Sequence, residues 1–216
     1  MIREFTPDEF IHLWRETDLD RFPFPLRLRS AARYQDDHDD LCRALTARLP
    51  RGRDAGLSTA LRIAAEPAIS LAVTGIRDHP LRAYAAIDRG LGVVLVQRPS
   101  PDPDIGANVI LAAGTPTIVP EILVALLGSS ADTGAESRGY TSQTGDHLLD
   151  VPLTGHGVIE VCRHAHTRRP MPPEYLTWVD IACAGRYTYG SGGEPLLEPC
   201  PPEVLARKLA RLCRVG

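Results

Sequence analysis

Lysine is nearly missing: of the 24 Lys+Arg residues in this 216-residue chain, only Lys208 is lysine. Aromatic residues make up 6%, and all four phenylalanines fall within the opening helix and linker, at Phe5, Phe10, Phe22 and Phe24. No run approaches the ~20 apolar residues that a membrane-spanning helix needs. A positive surplus is lacking too, since 27 Asp+Glu leave a formal net charge of −3. That excludes a nucleic-acid binder that works by general basicity, which requires clustered positive charge. Five cysteines, an odd count with no CxxC pair, fit reduced thiols better than a disulfide framework. Met1-Ile2-Arg3-Glu4-Phe5 is charged where a signal peptide would be apolar, so the chain is expected to be cytoplasmic and without membrane insertion.

What is present is an ordinary globular composition, 44% hydrophobic and 24% charged, which argues against disorder. Thr6-Pro7-Asp8-Glu9 spells a capping box with proline at the first helical position, and Phe5 and Phe10 have the spacing of a hydrophobic staple. Phe10, Leu13 and Trp14 continue the helical stripe. Pro23 and Pro25 lead into Leu26-Arg27-Leu28-Arg29, whose alternation predicts a half-buried strand. Asp36 to Asp40 (DDHDD) precedes an apolar run, as acids do at the positive end of a helix; as a calcium loop it lacks the glycine and the distal glutamate.

A second helix is expected over Leu57–Ala65, then strands at Ile69–Thr74, Leu81–Ile87, Leu91–Gln97 and Ala107–Ala112. Residues 75–80 and Asp88-Arg89-Gly90 are too short for crossovers, so neighbouring strands run antiparallel. Ile118–Leu127 reads as a helix, and Ser129–Asp146, rich in Gly, Ser and Thr, as a flexible loop. Strands at Gly157–His166, Leu176–Cys183 and Arg186–Tyr189 and a last helix over Pro202–Arg214 complete the pattern. The fold class is α+β, one domain over residues 1–216, with an N-terminal half at 1–128 and a C-terminal half at 147–216.

Chemistry is sparse. Glu160, Cys162, His164 and His166 alternate onto one strand face, and the two histidines, about 6.6 Å apart by strand rise, could share a metal ion. Glu160 would lie about 20 Å from His166. Polar residues facing solvent explain the same pattern. Gly190-Ser191-Gly192-Gly193 lacks the spacing of a nucleophile elbow. Cys42, Cys162, Cys183 and Cys213 sit in apolar stretches, where a thiol behaves as a small hydrophobe, and nothing near Cys200 would clearly activate it. No phosphate-binding loop occurs. Asp180, inside Trp178-Val179-Asp180-Ile181, needs a partner if buried, and Arg186 across the hairpin is the candidate. By elimination the chain reads as a binding protein with no cofactor, rather than an enzyme.

Three segments together resemble the EspG family, cytosolic chaperones of type VII (ESX) secretion systems. They are Phe5–Phe10 through Leu13-Trp14 to Pro25-Leu26; Leu81-Arg82-Ala83 through Ala86 and Gly90 to Val93-Val94-Leu95; and Gly157 through Arg168-Arg169, Trp178-Val179-Asp180 and Gly185-Arg186-Tyr187 to the terminal helix. One departure concerns length: where the family carries a further helical segment before its last sheet, only Leu148–Leu153 stands here, so the C-terminal half is shortened.

The resemblance implies a central twisted antiparallel sheet flanked by helices, with quasi-two-fold halves. It also implies a task, binding the helical tip of the PPE protein in a PE–PPE heterodimer and keeping it soluble for secretion. The family uses a loop between two central strands for this, and Gly75–Pro80 is its match here. Ile76 would be the apolar contact, Arg77 and Asp78 rim charges, with His79 and Pro80 completing the loop. Thr6, Glu9, Trp14, Trp178, Asp180 and Arg186 are the expected structural residues. Two other readings stay open: a diverged binder of another helical secreted protein, or of itself, and a small metal-dependent enzyme using His164 and His166.

Overall fold

The computed structural model describes residues 1–128, 152–164, 171–182, 184–189 and 197–214. The expected loop at 129–146, His166, Cys183 and the glycine-rich turn at 190–193 lie outside them. Helix α1 (Pro7–Trp14) begins as its spacing predicts: Thr6 Oγ1 accepts from the Glu9 N–H at 3.3 Å, and Glu9 Oε2 accepts from the Thr6 N–H at 2.8 Å. Phe5 and Phe10 are buried, the Phe10 and Trp14 rings stack at 5.8 Å, and Trp14 Nε1 donates to the Arg21 carbonyl at 3.0 Å. Helix α2 (Gln35–Arg48) carries Asp36 and Asp37 in its first turn, and α3 (Ala55–Ala65) is capped by Asp54, whose Oδ1 accepts from the Leu57 N–H. A 3-10 turn, Arg15–Thr17, follows α1.

Among the described residues nine antiparallel strands form one sheet: β1 (Ile2–Phe5), β2 (Ile69–Ile76), β3 (Pro80–Asp88), β4 (Leu91–Gln97), β5 (Val109–Gly114), β6 (Leu153–Arg163), β7 (Glu174–Ile181), β8 (Gly185–Tyr189) and β9 (Leu197–Pro199). Their order is β1-β5-β4-β3-β2-β6-β7-β8-β9. From the β2–β6 pair outward, the two sides mirror one another. The meander β2-β3-β4-β5 leads into α4 (Ile118–Leu127), and β6-β7-β8-β9 leads into α5 (Pro202–Leu212).

Both of those helices lie on one face, where Leu123, Leu127, Leu205 and Leu209 join Leu71, Val73, Ala85 and Ile159 in the larger core. On the other face α1 and α3 bury Phe10, Leu13, Leu57 and Leu61 against Tyr84, Leu95 and Leu111. Each such side chain contributes about 1.5–3 kcal/mol on burial. The α+β class, with its antiparallel sheet flanked by helices, is as expected.

Leu26–Arg29 is not a strand. The side-chain amide of Gln97 substitutes for a ladder there, its Oε1 accepting from Arg27 N–H and its Nε2 donating to the Arg27 carbonyl, both at 2.9 Å. Gly106 leaves room for that amide, since a Cβ there would overlap the Gln97 side chain. Strand bounds also shift: β6 starts at Leu153 and ends at Arg163, β7 starts at Glu174, and the β2–β3 connection shrinks to Arg77–His79 because Ile76 and Pro80 pair. β1 and β9 are short strands that the sequence pattern did not suggest.

Candidate functional site

The β2–β3 hairpin is held by an unusual base. Gly75 on β2 and Gly157 on β6 are register partners, and the Trp178 indole of β7 lies across them. A Cβ on Gly75 would come within 2.6 Å of the His156 carbonyl and 2.8 Å of the indole, and a Cβ on Gly157 would meet the Thr74 carbonyl. Glycine here permits close approach of two backbones and a ring. Trp178 is fully buried, its N–H meets no acceptor among the described residues, and the Arg186 guanidinium sits over its ring at 5.2 Å.

Asp180 is 1% exposed, and Arg186 holds it bidentately at 2.7 and 2.8 Å. This is the pair that strand alternation and the tight turn at Ala184-Gly185 imply. Arg77 adds a second cation, its Nε 3.4 Å from Asp180 Oδ2. Both arginines also reach the C-terminus of α4. Arg186 donates to the Leu127 carbonyl at 2.8 Å and the Gly128 carbonyl at 3.2 Å, and Arg77 Nη1 donates to Leu127 as well. The last helical carbonyls, otherwise unsatisfied, thus receive cationic donors at the negative end of the helix.

Arg77 is therefore turned inward, its side chain 27% exposed, and acts as an anchor rather than a free rim charge. Ile76, by contrast, is 51% exposed, and Asp78 and His79 are exposed beside it, with Pro80 partly covered. The hairpin presents three of the five expected contact residues and uses a fourth to fix itself to the core. The Arg77 N–H closes the turn on the His79 carbonyl at 3.2 Å.

Register places Ile76 in a row with His156, Val179 and Tyr187, beside a second row of Thr74, Val158, Thr177 and Tyr189. The helices on this face, α1 and α3, pack over β3, β4 and β5. Over β7–β9 the buried side chains form a small separate cluster, Ile181, Tyr187 and Leu197, which contains no helix residue among those described. The hairpin tip thus continues into a sheet face that carries the exposed His156 and the partly exposed Val158, Thr177 and Val179, and that ends at the buried Tyr187.

Glu160 and Cys162 share a face of β6 and His164 follows just past its end, but their polar groups are engaged. His164 Nε2 is 2.8 Å from Ser70 Oγ, and Cys162 Sγ is 3.6 Å from Glu160 Oε1. Burial first, and then the Glu160 carboxylate, push the Cys162 thiol up from its usual range. Among the described residues no three His, Cys, Asp or Glu side chains are placed to hold a metal ion. Sequence reasoning missed Arg77 as an anchor; the glycines inside two strand patterns, Gly75 and Gly157, were the available signal of close packing.

The sequence profile of the EspG family matches residues 6–138, from the N-cap of α1 through α4, more than half of the chain and short of β6–β9. No curated protein matches the chain. With the capped first helix, the central hairpin and α4 all inside the matched span, the chain belongs to the EspG family.

Proposed function

We propose that this chain is a cytoplasmic, non-enzymatic chaperone that binds the helical tip of PPE-type substrates and keeps them soluble for type VII secretion. The observation that carries the reading is the exposed Ile76, set on a hairpin that Arg77 ties to the buried Asp180. A rigid apolar anchor loses little conformational freedom on binding, which is what a contact of high affinity per residue requires. Exposed Asp78 and His79 supply the polar rim, and the adjoining face of β6 and β7, where His156 is exposed and Val158, Thr177 and Val179 are partly so, supplies area for a helical tip. An uncovered apolar tip would otherwise aggregate.

Co-expression with a PE–PPE pair from the same genome tests this, with capture expected in a 1:1:1 complex. Ile76→Asp should reduce affinity by about 30-fold or more, equivalent to about 2 kcal/mol. Being on the surface, it should change folding stability by only about 0.5 kcal/mol. Wild-type protein that captures no PE–PPE pair, or an Ile76→Asp variant that binds as wild type, refutes the reading. Sedimentation as a dimer alone would point to self-association instead.

A further inference from the structure

On the α4 side of the sheet, next to the hairpin, three register positions carry no side chain: Gly75 of β2 faces Gly157 of β6, and Gly155 of β6 faces Asp180 of β7. The Trp178 indole fills the first gap. The second is filled from the hairpin, because the stem of Arg77 runs over Gly155 so closely that a Cβ there would stand 2.8 Å from Arg77 Cγ. At the other end of the same side chain, a Cβ on Gly128 would stand 2.7 Å from Nη1. Two glycines thus bound a slot that ends at the Asp180 carboxylate and the Leu127 carbonyl. Gly128 closes α4 with φ +66°, a conformation that favours glycine by itself. Gly155 has no positive φ, so space rather than backbone shape is what it supplies.

The end of the hairpin needs that slot. Ile76 is the last rung on both of its sides, opposite Pro80 and His156. Pro80 has no N–H to give to a ladder, and the neighbouring β6–β7 ladder is interrupted by a register shift between Leu153 and Gly155. Strand ends held by few groups open readily. The seated Arg77 side chain ties this end to a buried carboxylate and to the last residue of α4.

We infer that Gly155 is a positioning residue for the partner-binding hairpin: by carrying no side chain it lets Arg77 seat, and the seated Arg77 holds Ile76 where a helical partner meets it. The inference rests on the proposed reading of the hairpin as the contact with a PPE-type substrate. Strand alternation puts Gly155 on the sheet face opposite the Ile76 side chain, which faces with His156, so its effect on a partner passes through Arg77. A seated fraction of about one tenth lowers apparent affinity about tenfold, since only the competent form binds.

Two measurements test this: amide hydrogen exchange over residues 75–80 on the full chain alone, and titration with a PE–PPE pair from the same genome. Gly155→Ala and Arg77→Ala should each speed hairpin exchange about tenfold, leave α1 and α3 unchanged, and weaken partner binding about tenfold. Alanine at position 77 has no Cγ to displace, so adding Gly155→Ala to Arg77→Ala should change either readout by no more than about twofold. Arg77→Lys, which keeps the stem and a cation for Asp180, should regain most of the protection. Wild-type hairpin exchange in Gly155→Ala, or a double variant that multiplies the two single effects, overturns the inference whether or not a partner binds. Fast exchange in Gly155→Ala with wild-type affinity overturns it as well and leaves the role of Ile76 standing. Wild-type protein that captures no PE–PPE pair overturns the reading of the hairpin and the inference with it.

Discussion

Removing the charge of Asp180 tests whether the hairpin base is one ionic unit. Asp180→Asn keeps the shape but leaves Arg186, whose side chain is 2% exposed, facing no anion. Breaking a buried pair on one side costs about 3–5 kcal/mol, because the remaining charge stays desolvated. Arg186 keeps two carbonyl acceptors and the Trp178 ring, which favours the lower half of that range. Arg77 is more exposed and loses only a 3.4 Å contact, which adds no more than about 1 kcal/mol after screening. The expected loss is therefore about 3–5 kcal/mol, or roughly 6–20 °C in melting temperature for a chain of this size. Urea denaturation followed by circular dichroism reads the free energy, and thermal melting the temperature. Arg186→Met should cost a comparable amount, and the double variant should cost less than the two singles together by about 2 kcal/mol or more. Asp180→Asn within about 1 kcal/mol of wild type, at an unchanged denaturant slope, would refute the reasoning.

Thr6→Ala removes the acceptor for the Glu9 N–H and should cost about 1 kcal/mol, read from the urea midpoint. Gly157→Ala drives a methyl group into the Thr74 carbonyl and against the Trp178 ring at 2.8 Å, so a loss of about 2 kcal/mol or more is expected by the same measurement. Tyr84 is buried and donates to the Ala64 carbonyl at 3.0 Å, and burial raises its hydroxyl above the usual tyrosine value of about 10. The unfolded chain then binds fewer protons than the native one above about pH 10, so the Tyr84 contribution is complete below that pH and is lost as pH rises further. Tyr84→Phe should flatten this alkaline loss in urea titrations, while costing about 1 kcal/mol at neutral pH.

Where the determinants are local, the sequence was readable. Thr6, Pro7 and Glu9 fix the start of α1 within one turn, and the short spacing between Asp180 and Arg186 makes them cross-strand partners. Where the determinant comes from far away, it was not. β1 exists because Ile2–Phe5 pairs with β5, over a hundred residues later, and four residues carry no periodicity of their own. Leu26–Arg29 has a strand's alternation yet follows the Gln97 amide instead. The hairpin was placed from its connection length, but the inward turn of Arg77 depends on a carboxylate two strands away.

The β2–β6 pairing has a consequence for how the chain tolerates being cut. The middle of the sheet is a seam between two strands belonging to different halves, joined from Ile69–Arg163 to Ile76–His156. Severing the chain between 128 and 152 removes neither strand, but leaves each piece with a bare edge whose natural complement is the other piece. Two such fragments, expressed together, should reassemble along the seam, whereas each alone would seek foreign strands and precipitate.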